Sequence, residues 1–135
     1  MATALNLDRF MHSEPLARAL AVEQGLPITM IRSLLTDKVM TMTDLARVVG
    51  PRRTLERRLK LRQPLTTEES DRLARLFDIL AVTEQMFGDK ARAMDWLLGP
   101  KSSFDDRAPL DLLRTSAGAE AVNALLQRAR HGMLA

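Results

Sequence analysis

Seven cations crowd into sixteen residues of this chain: Arg47, Arg52, Arg53, Arg57, Arg58, Lys60 and Arg62, opposed by Glu56 alone. The guanidinium group is a planar fork of N–H donors that matches phosphate oxygens and the O6/N7 edge of guanine. The stretch carries a net +6, whereas the whole 135-residue chain carries only +3. A basic island in a slightly acidic background is the footprint of a phosphate-binding face. A solvated arginine-rich helix in a helical hairpin would give the same charge, so charge alone leaves both readings open.

Other chemistry is poorly provided for. The chain has no cysteine, which excludes disulfides, thiolate zinc sites, iron–sulfur clusters and a cysteine nucleophile. Its two histidines, His12 and His131, lie at opposite ends. Glu68-Glu69 and Asp105-Asp106 are adjacent carboxylates, but acid–base catalysis needs one member whose pKa is raised by burial or a like charge. Glu69 reads instead as a helix-cap partner, and the aspartates fall in a polar loop. His131 has no nucleophile positioned beside it. The residues suggest neither an enzyme nor a metal or cofactor site.

The elements that must position the cations are helical. Aromatics make up 4% of the chain, tyrosine is absent, and helix formers dominate. No apolar run approaches the roughly 20 residues of a membrane span, and Met1 to Ser13 lacks a signal-peptide layout. The chain reads as a soluble cytoplasmic protein. Residues 1–12 carry little pattern and are expected to be flexible. Ser13 and Pro15 suit the start of a helix and Gly25 its end, with Leu16, Ala19, Leu20 and Glu23 as the inward stripe. Pro27 opens a second helix with Ile28, Ile31, Leu34 and Leu35 inward. Thr41 or Thr43 caps a third, with Met42, Leu45, Ala46 and Val49 inward, and Gly50 ends it. Pro51 starts a fourth, to about Leu61, with Leu55 and Leu59 inward and Arg52, Arg53, Glu56 and Arg57 facing elsewhere.

Gln63-Pro64 breaks the chain, and Thr66 with Glu69 forms a capping box for a long helix to Phe87. Gly88 stops it and Asp89 caps the next helix, whose inward residues are Ala91, Met94, Trp96, Leu97 and Leu98. Lys101 to Ala108 is a loop anchored by Phe104. Pro109 begins a short turn with Leu110 and Leu113, and Gly118 precedes a last helix with Val122, Leu125, Leu126 and Ala129 inward. The expectation is an all-α protein in two lobes.

The third and fourth helices fit a helix-turn-helix. Ala46 allows close crossing, and Gly50 suits a left-handed turn. The following helix then presents its first turns to a major groove. In this reading Arg52 and Arg53 lie nearest base edges, Thr54, Arg57 and Arg58 meet bases or flanking phosphates, and Arg47, Lys60 and Arg62 meet phosphates.

The C-terminal part resembles the Xre/MbcA/ParS-type antitoxins. Leu65-Thr66-Thr67-Glu68-Glu69-Ser70-Asp71-Arg72-Leu73 resembles their "ls-x-eEsdRl-x-R" segment, and Ala93-Met94-Asp95-Trp96-Leu97 with Pro100 their "A-x-x-WL-x-x-P" motif. Pro109 to Leu113 with Thr115 and Gly118 resembles "PLdLL-x-T-x-x-G". Val122, Leu126, Arg128, His131 and Gly132 resemble "V-x-x-x-L-x-R-x-x-hG". These pieces span about residues 45–132 in order. Asp106 stands where the family usually carries glycine, and the arginine-dense fourth helix is not a family constant.

The resemblance implies an antitoxin of a RES–Xre toxin–antitoxin pair. Its partner would be a RES-domain toxin that consumes NAD or transfers ADP-ribose from it. The C-terminal lobe would occlude the toxin's NAD pocket, and the N-terminal Xre-like lobe would bind and repress the pair's operator DNA. On this basis residues 13–64 form the Xre-like helix-turn-helix domain and 65–135 the toxin-binding domain. A homodimer within a hetero-oligomeric complex is expected, since paired half-sites match a two-fold dimer. Trp96 reads first as a core anchor and second as a toxin contact. Arg128, Arg130 and His131 suit the C-terminal end of a helix dipole and equally an acidic or phosphate-binding pocket. With Gly132, Met133 and Leu134 they form the expected inhibitory contact. The competing reading is a stand-alone helix-turn-helix repressor whose second lobe only dimerises. A small hydrolase or transferase is disfavoured by the lack of a nucleophile–base constellation.

Overall fold

A computed structural model describes residues 6–132. Among these, the helices in chain order are α1 (Leu7–Met11), α2 (Pro15–Gln24), α3 (Thr29–Thr36), α4 (Met42–Val48), α5 (Arg52–Leu61), α6 (Thr67–Phe87), α7 (Lys90–Leu98), α8 (Pro109–Leu112) and α9 (Ser116–Arg130), with a 3₁₀ turn at Ser102–Phe104. The described residues contain no strand, only an isolated antiparallel bridge between Lys101 and Arg107. Among the described residues no helix is long and apolar enough to cross a membrane. The all-α expectation holds. The chain divides into two compact units after Ala74, inside α6, ten residues beyond the turn at Gln63-Pro64 where a boundary was expected.

In the first unit, Leu26, Ile28, Met30, Ile31 and Leu34 from around α3 are buried with Leu45 and Val48 from α4, Val49 just after it, and Leu55 from α5. Thr41 starts α4 with a capping box. Its hydroxyl accepts from the Asp44 amide, and the Asp44 carboxylate accepts from the Thr41 amide, both at 3.1 Å. Ser70, at 0% exposure, accepts from the Leu26 amide at 2.8 Å, and the Leu65 amide donates to the Leu26 carbonyl at 3.0 Å.

Three expectations fail here. Residues 7–11 are not patternless. Asn6 caps α1 by accepting from the Arg9 amide, Phe10 is 1% exposed, and the Arg18 guanidinium stacks 4.8 Å from its ring centroid. Second, α2 buries none of its residues: Leu16 is 69% and Leu20 47% exposed. The helical spacing is right, but among the described residues no element buries the stripe. Ser13 does not cap α2 either. Its hydroxyl turns back to the Arg9 carbonyl, and Glu14 occupies the cap position without a side-chain bond.

In the second unit, Leu76, Phe77, Ile79 and Leu80 of α6 are buried, as are Ala93, Met94 and Leu97 of α7, Leu110 and Leu113, and Val122, Leu125 and Leu126 of α9. Asp89 caps α7 by accepting from the Arg92 amide at 2.8 Å. Ala91 and Ala129, expected inward, are exposed. Gly118 lies inside α9 rather than before it. Thr115 is the cap, its hydroxyl accepting from the Gly118 amide at 3.0 Å. A Cβ at Gly118 would run into the Leu112 carbonyl, so a close backbone approach, not a helix stop, requires glycine there. The loop at 101–107 is closed by backbone bonds from Lys101 to Arg107 and from Asp106 to Lys101. Asp105 and Asp106 are both left-handed, at φ 54° and 64°. That conformation favours glycine, and aspartate is among the residues that tolerate it best.

Candidate functional site

The cations expected to meet DNA are organised by α5. Pro51 occupies its N-cap position with φ −56°, which leads the chain into the helix. Leu55 is fully buried and fixes which face turns inward. Arg52, Arg53, Arg57 and Lys60 therefore project into solvent, and Thr54 is partly covered. Arg52 donates to the Thr43 hydroxyl at 3.4 Å and lies 3.8 Å from Glu56, with its side chain 59% exposed. Arg53, Arg57 and Lys60 have neither hydrogen-bond nor ion-pair partners among the described residues. Arg47, on α4, reaches Asp44 at 4.0 Å and is 32% exposed. The turn between α4 and α5 is made without a left-handed Gly50. Instead, Arg72 donates to the Val49 carbonyl at 3.2 Å and so completes the end of α4.

Arg58 departs from its expected place among the DNA-facing cations. Its guanidinium forks onto Glu69, Nε to Oε1 at 2.8 Å and Nη2 to Oε2 at 3.2 Å. The side chains are only 14% and 9% exposed. Glu69 also accepts from the Thr66 amide at 2.8 Å while the Thr66 hydroxyl accepts from the Glu69 amide at 3.1 Å, completing the capping box. Burial pushes the Glu69 carboxyl upward. The Thr66 amide and the Arg58 guanidinium outweigh it, so its pKa lies below the usual carboxylate value. Arg58 thus ties α5 to the start of α6. The spacing carried the signal: Arg58 stands three residues after Leu55, on the flank of the buried stripe.

Arg62 closes α5 in a left-handed conformation, φ 56° and ψ 42°. With Pro27, Ile28, Thr29, Arg32 and Pro64 it borders a cavity of about 600 Å³. Arg32 is a cation the sequence reading passed over; it donates to the Leu59 carbonyl at 3.2 Å, at the end of α5.

In the second unit, Trp96 is partly buried, its ring 5.8 Å from that of Phe87. Arg128, Arg130, His131 and Gly132 are all exposed at the end of α9, with Arg130 reaching Gln85 at 3.4 Å. Met133 and Leu134 lie outside the described residues. Trp96 lines a cavity with Leu125, Leu126 and Ala129 of α9, and the side chains of Arg128, Arg130 and His131 are not part of the lining. Among the described residues, no group of histidine, aspartate and glutamate is arranged to hold a metal ion.

Comparison with known proteins matches both units. Residues 17–78 match the family model of the antitoxin Xre-like helix-turn-helix domain. Residues 83–132 match that of the antitoxin Xre/MbcA/ParS C-terminal toxin-binding domain. A protein of Pseudomonas putida named antitoxin Xre is 34% identical over 111 residues, covering 82% of this chain and 69% of the relative. Antitoxin Xre of Yersinia enterocolitica is 31% identical over 115 residues, covering 84% and 78% respectively. A buried core carrying an exposed arginine helix in the first unit, a matched toxin-binding domain in the second, and identity that runs through both lead to one conclusion: the chain belongs to the Xre antitoxin family of toxin–antitoxin systems.

Proposed function

We propose that this antitoxin neutralises a RES-domain toxin, one that degrades NAD or transfers ADP-ribose from it, by seating its C-terminal unit over the toxin's NAD pocket. The same protein represses its own operon through α5, and it acts as a homodimer within the toxin complex without catalysing a reaction itself. The observation that carries the reading is the match of residues 83–132 to a toxin-binding domain. The exposed Arg128, Arg130 and His131 support it, because a cationic helix end complements a cleft built for the diphosphate of a dinucleotide. The unpaired Arg53, Arg57 and Lys60, with Arg52 beside them, support the DNA-binding half.

The test is a growth assay. The adjacent open reading frame is expressed alone and then with this chain, and growth and cellular NAD are followed. Arrest with NAD loss, rescued by this chain, is the expected result. Toxicity without rescue, or no toxicity, moves the weight to a stand-alone repressor. Deleting residues 129–135 spares Leu126, the last buried residue of α9. The truncated protein should therefore fold yet fail to neutralise; retained rescue would remove the C-terminal contact from the proposal.

A further inference from the structure

Lys101 is an odd cation. It stands at the mouth of a cavity of about 340 Å³ lined by Phe87, Trp96, Pro100, Leu125 and Leu126. Its ammonium lies 4.9 Å from the centroid of the Trp96 ring. Among the described residues no carboxylate pairs with it. Lysine seldom surrenders water without a counter-charge, and here burial depresses its pKa. A cation–π contact offsets that cost only in part.

The position of Lys101 is fixed by its backbone. Its amide donates to the Arg107 carbonyl at 3.1 Å, and its own carbonyl accepts from Asp106 at 2.9 Å and Phe104 at 3.0 Å. The left-handed Asp105 and Asp106 let the chain turn tightly enough to make those bonds. The loop fixes the Lys101 backbone, and the cation–π contact places its ammonium beside the Trp96 ring. Every residue bordering the cavity lies within the span that matches a toxin-binding domain.

We infer that this cavity is a docking site for the toxin, taking an apolar side chain against Phe87, Trp96 and Leu125 with a neighbouring toxin carboxylate on Lys101. The inference rests on the toxin-binding reading and adds the surface and the partner chemistry. A carboxylate completes the coordination that the chain leaves open, and an apolar neighbour fills the space beneath it. Lysine over tryptophan thus selects an acidic–apolar pair over either group alone. The lining reaches Ala129 in the last turn of α9, but the Arg128, Arg130 and His131 side chains do not line it.

The 135-residue chain carries one tryptophan, so 5-fluorotryptophan places a single ¹⁹F reporter in the cavity wall. Unlabelled product of the adjacent gene is added, and binding is measured in parallel for wild type, Lys101→Met and Lys101→Arg. The expected result is a shifted ¹⁹F resonance on binding and an affinity loss of about 30-fold or more for Lys101→Met, with Lys101→Arg near wild type. Thermal melting of both variants controls for folding. Should Lys101→Met not fold, the ¹⁹F shift in the wild-type protein decides. Wild-type binding with an unmoved resonance, or a folded Lys101→Met variant of unchanged affinity, would overturn this inference and leave the antitoxin reading intact. Absence of any wild-type binding would instead refute the toxin-binding reading itself.

Discussion

Replacing Glu69 by glutamine removes one negative charge from a pocket that holds the Arg58 guanidinium at 2.8 Å. The amide oxygen can still accept from the Thr66 backbone, so the cap survives and the ion pair does not. Removing one partner of a fully buried pair costs about 3–5 kcal/mol, since the survivor is stranded away from water. Arg58 keeps 14% of its side chain exposed, which lowers the expectation for Glu69→Gln to about 2–3 kcal/mol. For a cooperative unit the size of the N-terminal one, that corresponds to a fall in Tm of about 10–20 °C. Glu69→Ala loses the cap as well and should fall further by about 1 kcal/mol.

The decisive control is Arg58→Met with Glu69→Gln. Removing the stranded cation should recover part of the loss. The pH dependence has a definite sign. The folded pKa of Glu69 lies below the unfolded one, so its contribution is present above the unfolded value of about 4.3 and is lost as pH falls through the folded value. Wild type and Glu69→Gln should therefore differ most near neutrality and converge only as pH falls through the folded value of Glu69. Circular dichroism melts across pH read all of this. A Glu69→Gln variant melting within about 2 °C of wild type at pH 7, or a double variant no better than the single, would refute the reasoning.

Three further outcomes follow from the same geometry. Arg53→Ala should relax sequence preference at one base position by about 1–3 kcal/mol, whereas Lys60→Ala should weaken binding to all DNA alike and lower the salt slope by about 1, as read by anisotropy against salt. A flat salt response of the wild-type protein would exclude phosphate contacts by α5. Gly118→Ala should destabilise the C-terminal unit severely, because the new methyl group meets the Leu112 carbonyl; a melt unchanged from wild type would contradict the close approach. Leu16→Ser should shift the isolated protein's stability by less than about 0.5 kcal/mol, since its side chain is mostly in water, whereas half-covered Leu20→Ser should cost up to about 1 kcal/mol.

What was legible in the sequence was mostly local. Thr41 with Asp44 and Thr66 with Glu69 are each three residues apart, and short-range bonds of that kind form wherever the helix does. Proline and glycine punctuation located α5, α6 and α7 closely for the same reason. What escaped depends on partners distant in the chain. Arg58 belongs to Glu69 across an intervening turn, and nothing in the arginine run distinguishes it from Arg57 except its flank of the helix. Leu16 and Leu20 have correct helical spacing, but periodicity describes one surface and not its cover. Gly118 read as punctuation because glycine usually is, yet its reason is the backbone of α8 passing close by. Within the candidate interface, the outward cations of α5 were readable from Leu55 and Leu59, while Arg32 and Lys101 become visible only once the cavities they border have formed.

Helix α2 holds its ten residues with no buried side chain. Its C-terminal end is tethered by Thr67, whose hydroxyl donates to the Glu23 carbonyl at 2.9 Å. In its N-terminal turns Arg18 stacks on Phe10 as described above. Such a segment opens without disturbing the core, so its amides should exchange with solvent ahead of those in α3 and α4, and at a rate insensitive to global stability. Proteolytic nicking would follow the same opening. The survival time of the chain in a cell would then be set by the fraying of one helix, and stabilising the core would not lengthen it.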